Sequence, residues 1–201
     1  MKLIALHGDS GCGKNTLADG LGWAQVAFAT PLRLWVYSKH GFDISRLGDK
    51  DYEDEHGILP MLIQASEEFH RLYPGLLLNY ALLTIANLNT DVVITDLRFP
   101  DELVMLQCLG AECIHVIRPE ASRPVQAMDR LINRRVLREL MNVDLDKTIA
   151  QIRKIGQASQ PVKLPDIESL RKAVIHSLLK VGDDGYYQSM CQIANCHSDG
   201  G

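Results

Sequence analysis

The chain has 201 residues, 46% of them apolar and 23% charged, with a formal net charge of −4. That is the profile of one soluble globular domain of ordinary size, not of a disordered chain. The charge balance argues against a surface that coats nucleic acid, and no apolar run approaches the ~18 residues of a helical membrane span.

In chain order, residues 3–6 form a short apolar run that ends in a glycine-rich turn, which predicts a buried parallel strand. The run is too short for the core of a signal peptide. A helix is predicted over Lys14–Leu21, weakened at its end by Gly20 and Gly22. Residues 24–29 are a second apolar run. Thr30-Pro31 then reads as an N-cap with proline at the first helical position, opening a helix to His40 that Gly41 stops.

Residues 41–60 turn polar and acidic (Asp49, Asp51, Glu53, Asp54, Glu55) between Arg46 and Lys50, and predict a solvated loop or mobile flap with little regular structure. Leu62, Ala65, Phe69 and Leu72 recur at helical spacing over residues 61–72. Pro74-Gly75 interrupts, and a largely buried helix follows over Leu76–Leu88. Next come a strand over 92–95, a helix over 101–109 closed by Gly110, and a strand over 113–117. The remainder reads as an arginine-rich helix over 124–141, a short helix over 147–155, a last short strand over 161–164 and a helix over 167–180. Strands alternating with helices predict an α/β fold, a parallel sheet flanked by helices on both faces. We expect one domain over 1–180 and a flexible tail over 181–201, rich in Gly, Asp, Ser and Gln.

The cysteines are Cys12, Cys108, Cys113, Cys191 and Cys196. Their odd number and the lack of a Cys-x-x-Cys pair speak against a disulfide framework and fit a reducing cytoplasm. Cys191, Cys196 and His197 fall one ligand short of a tetrahedral metal site.

Two motifs carry chemistry. Gly8-Asp9-Ser10-Gly11-Cys12-Gly13-Lys14-Asn15-Thr16 lies between a predicted strand and a predicted helix, the context of a phosphate loop. Small residues let backbone N–H groups turn inward around phosphate oxygens, and the helix N-terminus favours an anion. Lys14 supplies charge to the terminal phosphates. In many such loops a Ser or Thr directly after the lysine ligates magnesium. Here Asn15 takes that place, and the hydroxyl comes one residue later at Thr16. This Gly-Lys-x-Thr arrangement resembles nucleoside monophosphate kinases of the adenylate-kinase type.

The second motif is Thr95-Asp96-Leu97-Arg98-Phe99-Pro100-Asp101-Glu102. A carboxylate directly after a buried strand sits at the sheet's carboxyl edge, where such folds bind ligands. Asp96 there can hold Mg²⁺, and Arg98 can reach an acceptor phosphate in a bidentate fork. A helix cap for Asp96 and a surface ion pair for Arg98 are the plainer alternatives.

Together with Ala29-Thr30-Pro31-Leu32-Arg33, these segments resemble the deoxynucleoside monophosphate kinases of bacteriophages, members of the P-loop kinase superfamily. The likeness covers about residues 1–120. It implies an adenylate-kinase-like architecture and transfer of the ATP γ-phosphate, with Mg²⁺, to a deoxynucleoside 5′-monophosphate. Carried over, Gly8, Ser10, Gly11, Cys12, Gly13, Lys14, Asn15 and Thr16 would bind ATP, and Asp96 the metal. Arg33, Arg71 and Arg98 would serve the acceptor. The family usually has an acidic residue where Asn15 stands. The implied partners are small nucleotides, with no nucleic-acid polymer and no membrane; a homodimer stays open, and the location would be cytoplasmic, in the host cell if the chain is of phage origin.

Arg118, Arg123, Arg130, Arg134, Arg135 and Arg138 crowd into about twenty residues. Kinases of this kind close an arginine-bearing lid over the phosphates, and Arg123, Arg130 and Arg134 are the candidates for it, with Arg130 and Arg134 sharing a helix face. A solvated basic helix face explains them equally well. Two other functions remain: a P-loop kinase for another small acceptor, such as dephospho-coenzyme A or a phosphorylated metabolite, and a nucleotide-binding module without phosphoryl transfer.

Overall fold

The computed structural model describes residues 1–73, 75–119, 132 and 137–181. In chain order its elements are β1 (Leu3–His7), α1 (Lys14–Leu21), β2 (Ala24–Val26), α2 (Thr30–His40), α3 (Lys50–Glu55), α4 (Ile58–Leu72), α5 (Leu76–Leu88), β3 (Val92–Ile94), α6 (Pro100–Leu109), β4 (Glu112–Ile117), β5 (Arg138–Met141), α7 (Leu145–Ala158) and α8 (Ile167–Val181). A single 3-10 turn occupies Ile44–Arg46. The chain forms two compact units, one of Met1–Ala27 with Asn89–Leu164, the other of Phe28–Leu88 with Pro165–Gly201.

The first unit holds the whole sheet. Its five strands run parallel in the order β2-β3-β1-β4-β5. The near-continuous apolar composition of β1 and β3 follows from this placement, since an inner parallel strand is buried on both faces. On one face, Ile4, Leu6, Val93, Ile114 and Val116 pack beneath Leu17, Ala18 and Leu21 of α1 and Ile149 and Ile152 of α7. Both helices therefore present an apolar stripe at spacings of three and four. Asp144 starts α7 by accepting from the backbone N–H of Lys147 at 3.1 Å. On the other face, α6 packs on β4.

In the second unit α2 packs on α4 and α5 on α8. Helix α4 buries Ile58, Leu62, Ala65 and Phe69 along one stripe. Pro60 is accommodated because it sits in the first turn, where its missing N–H has no helical partner to lose. The apolar run of α5 buries Leu76, Leu77, Tyr80, Ala81 and Leu83.

Four expectations are corrected. Residues 41–60 are mostly ordered. Of the acidic residues that suggested a solvated loop, Asp49 caps α3 by accepting from Tyr52 N–H at 3.1 Å and the other four lie within that helix, while Asp43 caps the 3-10 turn by accepting from Ser45 N–H at 2.9 Å. Thr30 lies inside α2, whose N-cap is Ala29. The arginine-rich helix does not reach Met141, because Arg138–Met141 is the edge strand β5, paired with Ile114–Ile117 of β4. Residues 161–164 add no strand. Val162 and Lys163 make isolated backbone hydrogen bonds to the carbonyls of Met1 and Leu109 instead. Among the described residues, no helix is long and apolar enough to cross a membrane.

Candidate functional site

β1 ends at His7 and α1 begins at Lys14, so the loop between them emerges at the carboxyl edge of the central strand. Backbone geometry fixes its composition. Gly8 has φ +148°, and a Cβ there would lie 2.5 Å from the Val116 carbonyl oxygen. Gly13 caps α1 at φ +94°, with a Cβ position 2.6 Å from Nδ2 of Asn142. Gly8 is closed to a side chain by conformation and by space, Gly13 by conformation, and a Cβ at Gly13 would displace the Asn142 amide. The loop folds on itself through Cys12 N–H to Asp9 O (3.2 Å), and Leu17 N–H to Gly13 O (2.9 Å) opens the helix. No side chain caps α1. Its first-turn N–H groups are thus presented to whatever anion the loop receives.

Lys14 reaches back over the loop, its Nζ donating to Gly8 O at 2.5 Å and Asp9 O at 3.2 Å and lying 3.7 Å from Cys12 Sγ. Cys12 itself is 1% exposed and belongs to the core beneath α1, so it is no ready alkylation target. Asn15 and Thr16 face outward. Behind the loop, His7 and His115 are buried neighbours in strand register, with Nδ1 atoms 2.9 Å apart. One ring must donate there and the other accept.

The adjacent strand delivers the carboxylate. Ile94 of β3 pairs with Ala5 of β1, which sets Asp96, two residues on, at the level of His7 and the start of the loop. The turn that follows is shaped by Glu102, 2% exposed, whose Oε2 accepts from the backbone N–H of Arg98 (2.8 Å) and Phe99 (3.0 Å). This is one half of a capping box with Pro100 at the helix start, and it fixes the backbone from which Arg98 projects. Burial, helped by the Asp96 charge, pushes the Glu102 carboxyl up to about 8 against the pull of the two donors. Glu102 stood in the quoted motif without a role; the spacing Phe99-x-x-Glu102 was its signal.

Among the described residues, two cavities adjoin the loop. One of about 310 Å³ is lined by Gly13, Thr16, Arg118, Pro119, Asn142, Val143 and Leu145, a volume at the low end for small-molecule sites. The other, of about 160 Å³, is lined by Asp9, Cys12, His115, Val116, Ile117, Arg118 and Glu139. Arg118, at the end of β4, borders both. Asn142 lies just beyond β5 and donates from Nδ2 to Cys12 O at 2.8 Å. Sequence reading assigned no role to Asn142, Val143 or Leu145, which lie some 130 residues from the loop they adjoin.

The remaining candidates divide. Arg33, in the second unit, is ion-paired through Nε to Oε1 of buried Glu53 at 2.8 Å, and Tyr37 Oη lies 3.5 Å from the same oxygen. Arg71 is exposed in the last turn of α4. Arg123, Arg130, Arg134 and Arg135 lie outside the described residues, as do Cys191, Cys196 and His197. Arg138 faces Glu112 across the strand pair at 3.8 Å. Among the described residues, no three His, Cys, Asp or Glu side chains converge as a metal site. Mg²⁺ keeps several waters and takes one or two carboxylates plus substrate phosphates, so Asp96 beside the glycine-rich loop could hold it if that loop receives phosphates.

The α/β expectation holds: a parallel sheet flanked by helices, with the glycine-rich loop between its first strand and first helix. No family model matches the chain, and no curated protein matches it. Among solved structures, it is similar to the shikimate kinase of Aquifex aeolicus, with 15% identity and a TM-score of 0.43 over 76% of this chain and 94% of that one.

Proposed function

We propose that the protein transfers the γ-phosphoryl group of ATP to a small acceptor, and that the acceptor is a deoxynucleoside 5′-monophosphate. The observation that carries the first half is the loop. Two glycines of positive φ, an uncapped helix start and a folded-back lysine stand at one strand end, with a carboxylate level with it two residues past the next strand. In this reading the ATP phosphates lie in the loop, against the N–H groups of Gly11–Thr16 and the Lys14 ammonium. The nucleoside occupies the 310 Å³ cavity, flanked by Arg118 and the apolar Val143 and Leu145. Asp96 would hold Mg²⁺ through its waters; the ion, when bound, neutralises charge on the phosphates.

An acceptor phosphate oxygen forms the new bond to Pγ as the bond from Pγ to the β–γ bridging oxygen breaks, and the electron pair leaves on ADP. Lys14 and Arg98 hold the reacting oxygens in line and stabilise the charge spread over them. No general base is needed, because a phosphate acceptor is already ionised near neutral pH. The choice of a deoxynucleotide rests on the resemblance of residues 29–33 and 95–102 to the phage enzymes, with Arg33, Arg71 and Arg98 as acceptor contacts and Arg123, Arg130 and Arg134 as lid candidates.

The test is ADP release with Mg²⁺-ATP against dAMP, dGMP, dCMP, dTMP and their ribose forms, with Lys14→Ala and Arg98→Ala in parallel. Turnover with a deoxynucleotide is expected, falling by ~10²-fold or more in each variant. Turnover only with dephospho-coenzyme A or a phosphorylated metabolite would replace the acceptor. ATP binding without ADP from any acceptor would replace catalysis with nucleotide sensing.

A further inference from the structure

The loop's shape is held from outside by one side chain. Asn142 is 8% exposed and is anchored by its own backbone N–H to Ile117 O at 2.7 Å, one residue past the last β4–β5 pair. Its Nδ2 donates to the carbonyl of Cys12 at 2.8 Å. A carbonyl oxygen only accepts, so the amide must present its NH₂ end there. The same nitrogen closes off the Cβ position of Gly13 at 2.6 Å.

In a planar trans peptide the C=O and the following N–H point in opposite directions. Pinning the Cys12 carbonyl toward Asn142 therefore turns the Gly13 N–H the other way. That N–H belongs to the series which, in a phosphate loop, must converge on one anion. Asn142 also lines the 310 Å³ cavity beside Gly13 and Thr16. We infer that Asn142 is a positioning residue for the nucleotide phosphates: it sets the Cys12–Gly13 peptide so that the Gly13 N–H faces the anion. The inference rests on reading Gly8 to Lys14 as a phosphate loop, and it assigns a role to a residue on the far side of the sheet order from any motif.

The chemistry distinguishes an amide from its isosteres. Asp at this position would set a carboxylate oxygen against the Cys12 carbonyl and add negative charge beside the phosphates. Leu would keep the volume but leave the carbonyl without its donor. Freed from the donor, the peptide can rotate, and the anion must then spend binding energy reorienting it.

The experiment is calorimetric titration of full-length parent, Lys14→Ala, Asn142→Asp and Asn142→Leu with magnesium-free tripolyphosphate, which tests the loop alone, and with adenosine, which tests the cavity. The Gly13 amide resonance is followed by ¹H–¹⁵N spectroscopy. Parent is expected to bind tripolyphosphate, with a shift of the Gly13 amide, and Lys14→Ala to lose it. Asn142→Leu should weaken tripolyphosphate by about 10- to 100-fold, the scale of a buried carbonyl left unsatisfied, and Asn142→Asp by more. Asn142→Leu should also lose the tripolyphosphate-induced shift of the Gly13 amide, while adenosine, whose cavity Asn142 lines, should be weakened less than tripolyphosphate. Variants that bind tripolyphosphate as parent does, or that lose both ligands equally, would overturn the inference while leaving the phosphate loop standing. A parent that binds no polyphosphate overturns the loop reading and this inference with it. Should Asn142→Asp not fold, Asn142→Leu and the shorter donor Asn142→Ser, expected between Leu and parent, decide the same question.

Discussion

Glu102 places a carboxyl at 2% exposure, where two backbone N–H groups solvate it and the charge of Asp96 opposes its ionisation. Burial dominates, then Asp96, and the carboxyl is pushed up to about 8 from an ordinary 4.5. The sign of the consequence follows from proton counts. Between those two values the native chain holds a proton that the unfolded chain has released, so stability must fall as pH rises through the window. Below 4.5 both states are protonated and the contribution is complete; above 8 the native state carries a buried charge and the contribution is gone. Thermal melts without magnesium should show the parent losing stability between pH 4.5 and 8 relative to Glu102→Gln, which cannot titrate. Parallel curves for the two proteins would show that the carboxylate is solvated well enough by Arg98 and Phe99 to remain charged throughout. The His7–His115 pair imposes a different constraint at the same edge. With Nδ1 atoms 2.9 Å apart, only one can carry a proton between them, so at least one imidazole is neutral in this fold.

Helix α7 owes its seat to a missing side chain. A Cβ on Gly156 would collide with the Trp23 ring and approach Ile4 of β1, so α7 lies against the sheet at glycine distance. Gly156→Ala would favour the helix by its propensity, about 1 kcal/mol, yet overpacking here costs about 1–3 kcal/mol. The clash is with the edge of the bulky Trp23 ring, itself packed against the core, and with the end of Ile4, so the second effect should win. We expect a net loss of stability on denaturant unfolding; a gain would mean that Trp23 can turn aside. This contact also marks what sequence reading could reach. The apolar runs that became β1, β3 and β4, and the periodic stripes that became α1, α4 and α5, are local signals, and each stands within a few residues of its expected place. β5 was missed because an edge strand half open to solvent carries Arg138 and Glu139 where an inner strand carries valine. Residues 41–60 were misread because acidic side chains signal solvent and helix caps alike. The glycine-rich turn between β1 and α1 was legible because its glycines, lysine and threonine are contiguous. Asn142 was not, because nothing near it in sequence records that it meets Cys12.

The residues assigned to ATP and those assigned to the acceptor can be tested separately in solution. Every residue assigned to ATP, with Asp96 and Arg98, belongs to the unit of Met1–Ala27 and Asn89–Leu164. Arg33 on α2 and Arg71 on α4, assigned to the acceptor, belong to the other. A ligand that binds only the native state stabilises it by RT ln(1 + [L]/Kd), about 2.7 kcal/mol at a hundredfold excess over Kd. Amides that exchange through opening of the bound region then slow by about 100-fold. With Mg²⁺-ATP alone, protection should rise in β1, the loop, α1 and β3. Protection around Arg33 in α2 should require the acceptor and should single out the preferred nucleoside monophosphate from the panel. If ATP slows exchange in neither β1 nor α1, the loop does not bind it. If no monophosphate slows α2 while β1 and α1 respond to ATP, the phosphate loop stands and the deoxynucleotide acceptor falls, which leaves a kinase of another small acceptor or a nucleotide sensor as the reading to pursue.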